Sequence, residues 1–309
     1  MSIKFLPPFG VLFCFLSFVL FSSHLNCKSY LANESNLRIE SDTSLQISTS
    51  QFYKFVLVDD SEIIGRLDST KNDIHYVSTQ TGIVIPIPKD KIKKIVKLRG
   101  EFIEGKFWRY DPNRTRLLFA PNGRALEGGE GYFSVYQIFF PMVTYGVTNF
   151  LALSGGVSLF PGLEKQLVYG NIKVVPYQAE KFSIAVGGFI TTGFEEFTGG
   201  ILYSCATYGT NNNSITVGVG LPYEEWKTGK SPIILLGGDV RISNSLKFIT
   251  ENWIVTSSYK EFVFSAGIRW FEERLSADFG FVSTLELIKS SSGLPAIPWI
   301  GFAYNFKLK

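Results

Sequence analysis

Four charged residues fall inside otherwise apolar or small-residue runs late in the chain: Asp239, Arg241, Arg269 and Asp278. An unpaired ion in such a setting is costly, so these side chains must either pair with one another or line a wet passage. Other residues able to do chemistry are scarce. The sequence holds two histidines, His24 and His75, and none beyond them. The long region after His75 therefore cannot build a Ser and His hydrolytic pair or a His-rich metal cluster. His75, between Ile74 and Tyr76, reads as a structural or surface histidine rather than a base. The adjacent carboxylates Glu195-Glu196 and Glu224-Glu225 lie in turns. Neighbours there point apart and stay ionised in water, a poor arrangement for acid–base work. The doublets Gly155-Gly156, Gly187-Gly188, Gly199-Gly200 and Gly237-Gly238 precede no helix and read as strand kinks or close packing, not as phosphate cradles. No catalytic, metal or cofactor site is expected.

The elements that position the four charges are strands with a two-residue period. Phe262, Phe264, Ala266, Ile268 and Trp270 alternate with Val263, Ser265, Gly267 and Arg269. Ile215, Val217, Val219 and Leu221 alternate with Ser214, Thr216, Gly218 and Gly220, and Leu275, Ala277, Phe279 and Phe281 with Ser276, Asp278 and Gly280. Successive strand side chains point to opposite faces, so one face is oily and the other small or polar. A soluble sandwich would cover its second face with Lys, Glu and Thr. Small residues instead suit the inside of a narrow cylinder, and all four charges fall on that side. Charge otherwise gathers in turns: Glu180-Lys181, Glu224-Glu225 with Lys227 and Lys230, Lys260-Glu261, and Glu272-Glu273-Arg274. About a dozen such strands follow Arg116, each long enough to cross a bilayer when tilted. Trp270, Trp299, Tyr203, Tyr208 and Tyr259 are expected near strand ends as an interfacial girdle. The last strand, from Trp299 to Leu308, alternates aromatic and apolar residues to the chain end, as a terminal strand read by barrel-assembly machinery does.

Composition agrees. Only 18% of the residues are charged, against about a quarter in ordinary soluble domains, while 15% are aromatic, with 28 Phe and 29 Gly. A net charge of +3 over 309 residues argues against a nucleic-acid partner. Lys4, the apolar stretch from Val11 to Phe21 and Ser22-Ser23 have the three-part form of an export signal, giving residues 1–26 as a signal peptide. No later stretch is long and apolar enough for a spanning helix, so membrane residence must use strands. Cys14 lies within the signal. Cys27, after His24-Leu25-Asn26, is a candidate for lipidation, with a free thiol or a disulfide to Cys205 as the alternatives.

Residues 27–50, rich in Ser, Asn and Thr, are expected to form a flexible tether. Residues 51–100 hold four short β-rich runs separated by Asp59-Asp60-Ser61, Lys71-Asn72-Asp73 and Gln80-Thr81-Gly82. They predict a small β-meander similar in shape to SH3 or Sm barrels. The run from Lys89 to Lys97 reads as a solvated edge strand or short helix, with binding to anionic headgroups or wall polymer as the alternative.

From Asp111 the chain reads Asp-Pro-Asn-Arg-Thr-Arg-Leu-Leu-Phe-Ala-Pro-Asn-Gly-Arg to Arg124, and Gly128 to Phe133 follow as Gly-Gly-Glu-Gly-Tyr-Phe. Later come Tyr145-Gly146-Val147-Thr148 and Leu153-Ser154-Gly155-Gly156-Val157-Ser158-Leu159-Phe160-Pro161-Gly162. Across 111–309 these segments resemble a family of uncharacterised bacterial outer-membrane β-barrel proteins; Gly128 stands where that family often has Lys. The resemblance implies a barrel in the outer membrane and supplies no activity.

The resulting expectation is an all-β protein: a transmembrane antiparallel β-barrel of about twelve strands spanning residues 101–309, preceded by the small periplasmic domain. Its expected partners are outer-membrane lipid and the assembly machinery. Its role would be non-enzymatic, as a narrow pore or structural envelope protein of a Gram-negative cell. The alternative is an exported soluble or lipid-anchored β-protein holding a hydrophobic ligand in its barrel. A lipid-degrading barrel enzyme is disfavoured by the missing histidine.

Overall fold

The computed structural model describes residues 51–308 apart from 104–105, 164, 194–197, 226, 230, 257–260 and 291–292. The signal, the tether, His24, Cys27, Glu195-Glu196, Lys230, Tyr259 and Lys260 lie outside the described residues. The chain divides into two units between Tyr110 and Asp111.

In the first unit, β1 (Phe52–Leu57), β2 (Glu62–Lys71), β3 (Ile74–Ser78), β4 (Val84–Pro88) and β5 (Ile92–Lys97) form one antiparallel sheet in the order β4-β3-β2-β1-β5. A 3-10 turn over Lys89–Lys91 leads into β5. The two-residue period puts Tyr53, Phe55, Leu67, Val77 and Ile87 into one core. Asn72 and Asp73 take positive φ, 49° and 58°, which gives the tight β2–β3 turn the twist its strands need. β6 (Gly100–Ile103) and β7 (Lys106–Arg109) make a separate hairpin.

In the second unit, twelve strands close on themselves. They are β8 (Glu130–Tyr136), β9 (Phe140–Gly146), β10 (Leu151–Val157), β11 (Val168–Gln178), β12 (Phe182–Thr192), β13 (Thr198–Gly209), β14 (Asn213–Glu224), β16 (Ile233–Ser243), β17 (Leu246–Val255), β18 (Glu261–Phe271), β19 (Leu275–Thr284) and β20 (Ile297–Lys307). The two-residue β15 (Lys227–Thr228) only extends the end of β14. Every strand pairs antiparallel with its sequence neighbours, and the ring is sealed where β20 meets β8, with Phe302 opposite Val135 and Lys307 opposite Glu130. One short helix, α1 (Leu285–Ser290), follows β19.

Alternation sorts the side chains as the dyad pattern requires. Along β14, Ile215, Val217, Val219 and Leu221 are exposed on the outside, while Ser214 and Thr216 are buried within. Phe279, Phe281, Ile268, Trp270 and Phe302 continue the apolar exterior. A closed sheet leaves no unpaired edge, which makes such an exterior compatible with hydrocarbon. Inside, aromatic rings lie over glycines. Tyr169, Tyr203 and Tyr223 stand directly opposite Gly156, Gly187 and Gly200 on the adjacent strands. A Cβ at Gly187 would fall 2.5 Å from Tyr203 Cζ, so only glycine admits that ring.

Two girdle expectations need correction. Tyr203 sits in mid-strand and points inward, its hydroxyl donating to Asn171 Oδ1 at 3.0 Å. Trp299 packs against the buried Tyr136 ring with centroids 6.1 Å apart. Both rings fill the lumen because small residues opposite them leave room. Tyr208 and Trp270 do face outward.

Candidate functional site

The segment from Asp111 to Leu126, which precedes the first barrel strand, is folded inside the barrel. Its sequence favours tight turns rather than a strand. Asp111 Oδ1 accepts the Asn113 backbone N–H at 2.8 Å, and Asn122 Oδ1 accepts that of Arg124 at 3.0 Å, both Asx turns. Between them Leu117 N–H donates to Ala120 C=O at 2.9 Å, closing a reverse turn whose Leu117, Leu118 and Ala120 pack on Leu235 and Ile249 of the wall. Wall side chains pair the peg's backbone polar groups, which would otherwise be orphaned in the interior. Lys173 Nζ donates to the carbonyls of Thr115 and Arg124 at 3.0 and 2.7 Å. Glu251 Oε2 accepts the N–H groups of Phe119 and Ala120, both at 2.9 Å. Thr207 Oγ1 accepts Gly123 N–H at 2.8 Å, and Gln178 Oε1 accepts Ala125 N–H at 2.7 Å.

The charges of the wall converge on the same peg. Arg269, fully buried, donates through Nε to Asp278 Oδ1 at 2.6 Å and through Nη1 to Asp111 Oδ2 at 3.1 Å. Arg116 Nη1 reaches Asp278 Oδ2 at 2.6 Å from the other side. Lys247, also fully buried, lies 2.9 Å from Asp239 Oδ2 and 3.8 Å from Asp111 Oδ2. Ser214 Oγ completes the shell of Asp239 at 2.7 Å. Three cations thus share three aspartates in one buried, hydrogen-bonded chain that ties peg to wall. Such networks contribute little net stability compared with apolar packing, but breaking one member is expensive, so they specify a single arrangement.

The structure brings Asp239, Arg269 and Asp278 into this chain. Arg241 stands apart: its guanidinium donates to the carbonyls of Ser243 and Asn244 and lies over the Phe271 ring, 4.7 Å from its centroid. Sequence reasoning missed Asp111, Arg116, Lys173, Lys247 and Glu251. For the last three a signal existed: each is an ion in phase with the inward residues of its strand, Lys173 on β11 and Lys247 and Glu251 together on β17. Asp111 and Arg116 precede the first barrel strand and carry no periodic signal. Cys205 is buried on the lumen side, a free thiol within the described residues. His75 belongs to the small unit, its Nδ1 2.7 Å from Thr70 Oγ1. No cluster of three or more potential metal ligands occurs among the described residues.

Beside the peg the lumen retains a cavity of about 140 Å³ walled mainly by apolar groups, including Met142, Phe189, Ile201 and Leu235, with Arg116 and Lys173 on its lining. A second, of about 60 Å³, lies between Leu118, Glu251 and Trp299.

No family model and no curated protein matches the chain. Among solved structures, it is similar to the KdgM porin at 10% identity, covering 57% of this chain and 98% of that one, with a TM-score of 0.45. The Acinetobacter baumannii outer membrane protein Omp33 gives 10% identity over 58% and 96%, TM-score 0.34. Pseudomonas aeruginosa OprD gives 8% over 84% and 93%, TM-score 0.33. At this level of likeness the neighbours carry no argument for function; the barrel rests on its own strand pairing.

Proposed function

We propose that this protein is a non-enzymatic outer-membrane β-barrel of a Gram-negative envelope, occluded by residues 111–126 and passing at most small solutes. The observation that carries the reading is the lumen network joining Asp111 and Arg116 to Arg269 and Asp278. A peg held by buried ion pairs fills the space through which a wide pore would conduct. The closed ring of twelve strands and the exposed aliphatic and aromatic exterior support residence in lipid. Outer-membrane lipid and the assembly machinery are its partners in this reading. The N-terminal unit is proposed to be an SH3 or Sm type of bent barrel. Its support is the 3-10 turn before β5 and the position of β1 between β2 and β5. Cys27 stays a proposed lipidation site.

Planar-bilayer recording of the purified full chain tests the occlusion. The native protein is expected to conduct weakly, and replacing residues 113–124 with a Gly-Ser linker of equal length should raise single-channel conductance several-fold. Equal conductance in the two proteins would defeat it. Fractionation with heat-modifiable gel mobility tests the membrane assignment, since a soluble, mobility-invariant protein favours the ligand-binding alternative instead.

A further inference from the structure

The lumen is divided along its length. β16 passes from Ile233 and Leu235 to Asp239 and Arg241, and β17 from Lys247 to Trp253, so the ion network lies toward one end and the larger chamber toward the other. Arg116 belongs to both. Its charge is already met by Asp278 at 2.6 Å. Nη1 is occupied by that carboxylate and by the carbonyls of Leu117 and Leu118. The opposite edge of the guanidinium, Nε with Nη2, is buried without a partner. Arg116 lines the chamber, and what its bare edge lacks is an acceptor, not a counter-ion. The guanidinium lies over the Tyr136 ring, 5.3 Å from its centroid. Phe119 meets Tyr136 and Phe189 edge-on, with ring centroids 5.2 and 6.1 Å apart. These three rings line the same chamber with Met142 and Leu235. Other polar side chains of the lining are engaged: Thr144 donates to Ser154 at 2.9 Å, Tyr203 to Asn171 at 3.0 Å, and Lys173 to two peg carbonyls.

We propose that the chamber binds one small uncharged aromatic molecule carrying an acceptor oxygen, of the size of phenol. Its ring packs among Phe119, Phe189 and Leu235, and its oxygen accepts from Nε and Nη2 of Arg116. A cavity of about 150 Å³ with apolar walls takes up one benzene, and this chamber measures about 140 Å³. Rings already disposed edge to face favour an aromatic guest over an aliphatic one. The oxygen supplies the selectivity. In a wholly apolar cavity a hydroxyl stripped of water is penalised. Here it satisfies buried donors of a cation, which form stronger hydrogen bonds than neutral ones.

The test is equilibrium dialysis of radiolabelled phenol and toluene against the full-length protein in non-ionic detergent, with protein-free micelles as background. The two probes match in size and differ in the hydroxyl. Phenol is expected to bind saturably, one per chain, and at least about tenfold more tightly than toluene, the value of one hydrogen bond to a charged group. Arg116→Lys, which keeps a cation for Asp278 and removes the planar edge, should weaken phenol by a similar factor and leave toluene unchanged. Ser154→Phe fills the chamber from β10 without touching Arg116 and should abolish saturable binding of both. Phenol retention no greater than in empty micelles overturns the proposal. So does toluene binding as tightly as phenol, the order of a cavity in which Arg116 plays no part. Both results are read on the native protein even if a variant misfolds. Neither conductance nor membrane fractionation enters the readout, so failure here and failure of the occluded-barrel reading are distinguishable.

Discussion

Arg269 is the residue on which the lumen turns. It spans Asp278 on the next strand and Asp111 on the peg, and it also donates to the carbonyls of Asn113 and Leu117. Replacing it with Met would leave two buried carboxylates short of a cation, at a cost of about 3–5 kcal/mol. Urea unfolding of the reconstituted barrel should show a loss of unfolding free energy of that size, and no loss would mean that water already screens the pair. His75 offers a second, independent expectation. Burial disfavours its charged form, and the nearby Lys89 cation pushes the same way, so its pKa in the folded chain lies below the ordinary imidazole value. Its neutral form is therefore favoured by folding. The contribution is fully present above the unfolded pKa of about 6.5 and is lost as pH falls through the lower, folded value. An NMR titration of the His75 ring should give a midpoint below that of a histidine in an unfolded peptide; a midpoint at or above it contradicts the packing described.

At the level of strands, the wall depends on aromatic rings laid over cross-strand glycines. Gly187→Val would push a branched side chain into the space of the Tyr203 ring and against the Ile172 carbonyl. Overpacking of this kind costs typically about 1–3 kcal/mol. Gly188→Val, whose nearest neighbour is the flexible end of Leu202 at 3.2 Å, should cost less. Melting of the folded band on gels compares the two, and equal losses would show that the ring is not what fixes position 187. The same strands show what a reader of the sequence could see. Orientation was legible in β14, β18 and β19 because a one-residue slip inverts every side chain, leaving the phase unambiguous. The inward placement of Asp239, Arg269 and Asp278 followed from it. Their partners were not legible. Arg116 meets Asp278 across 162 positions, and nothing local marks that contact. Tyr203 was misplaced for a related reason: an aromatic at an inward position is allowed only by the glycine opposite, which sits on another strand.

For the molecule as a whole, β8 and β20 form the seam, and Glu130 at the start of one lies against Lys307 at the end of the other. Removing residues 297–309 would expose β8 and β19 as bare edges, each a row of unsatisfied donors and acceptors in lipid. Such a chain is expected to show no compact, heat-modifiable form in detergent; recovery of one would mean that eleven strands can close. The order of parts along the polypeptide has a temporal corollary. Asp111 and Arg116 emerge from the ribosome long before Lys247, Arg269 and Asp278, and while Asp239–Lys247 and Arg269–Asp278 can each pair within one hairpin, these two peg ions have to wait for those later strands. The stopper must wait, hydrated, while its container is threaded and wrapped around it, and the final hairpin seals it in. Long-range closure of this kind is slow. Neutralising substitutions at Asp111 should accordingly alter the rate at which newly exported chains mature, not merely how firmly the finished cylinder holds.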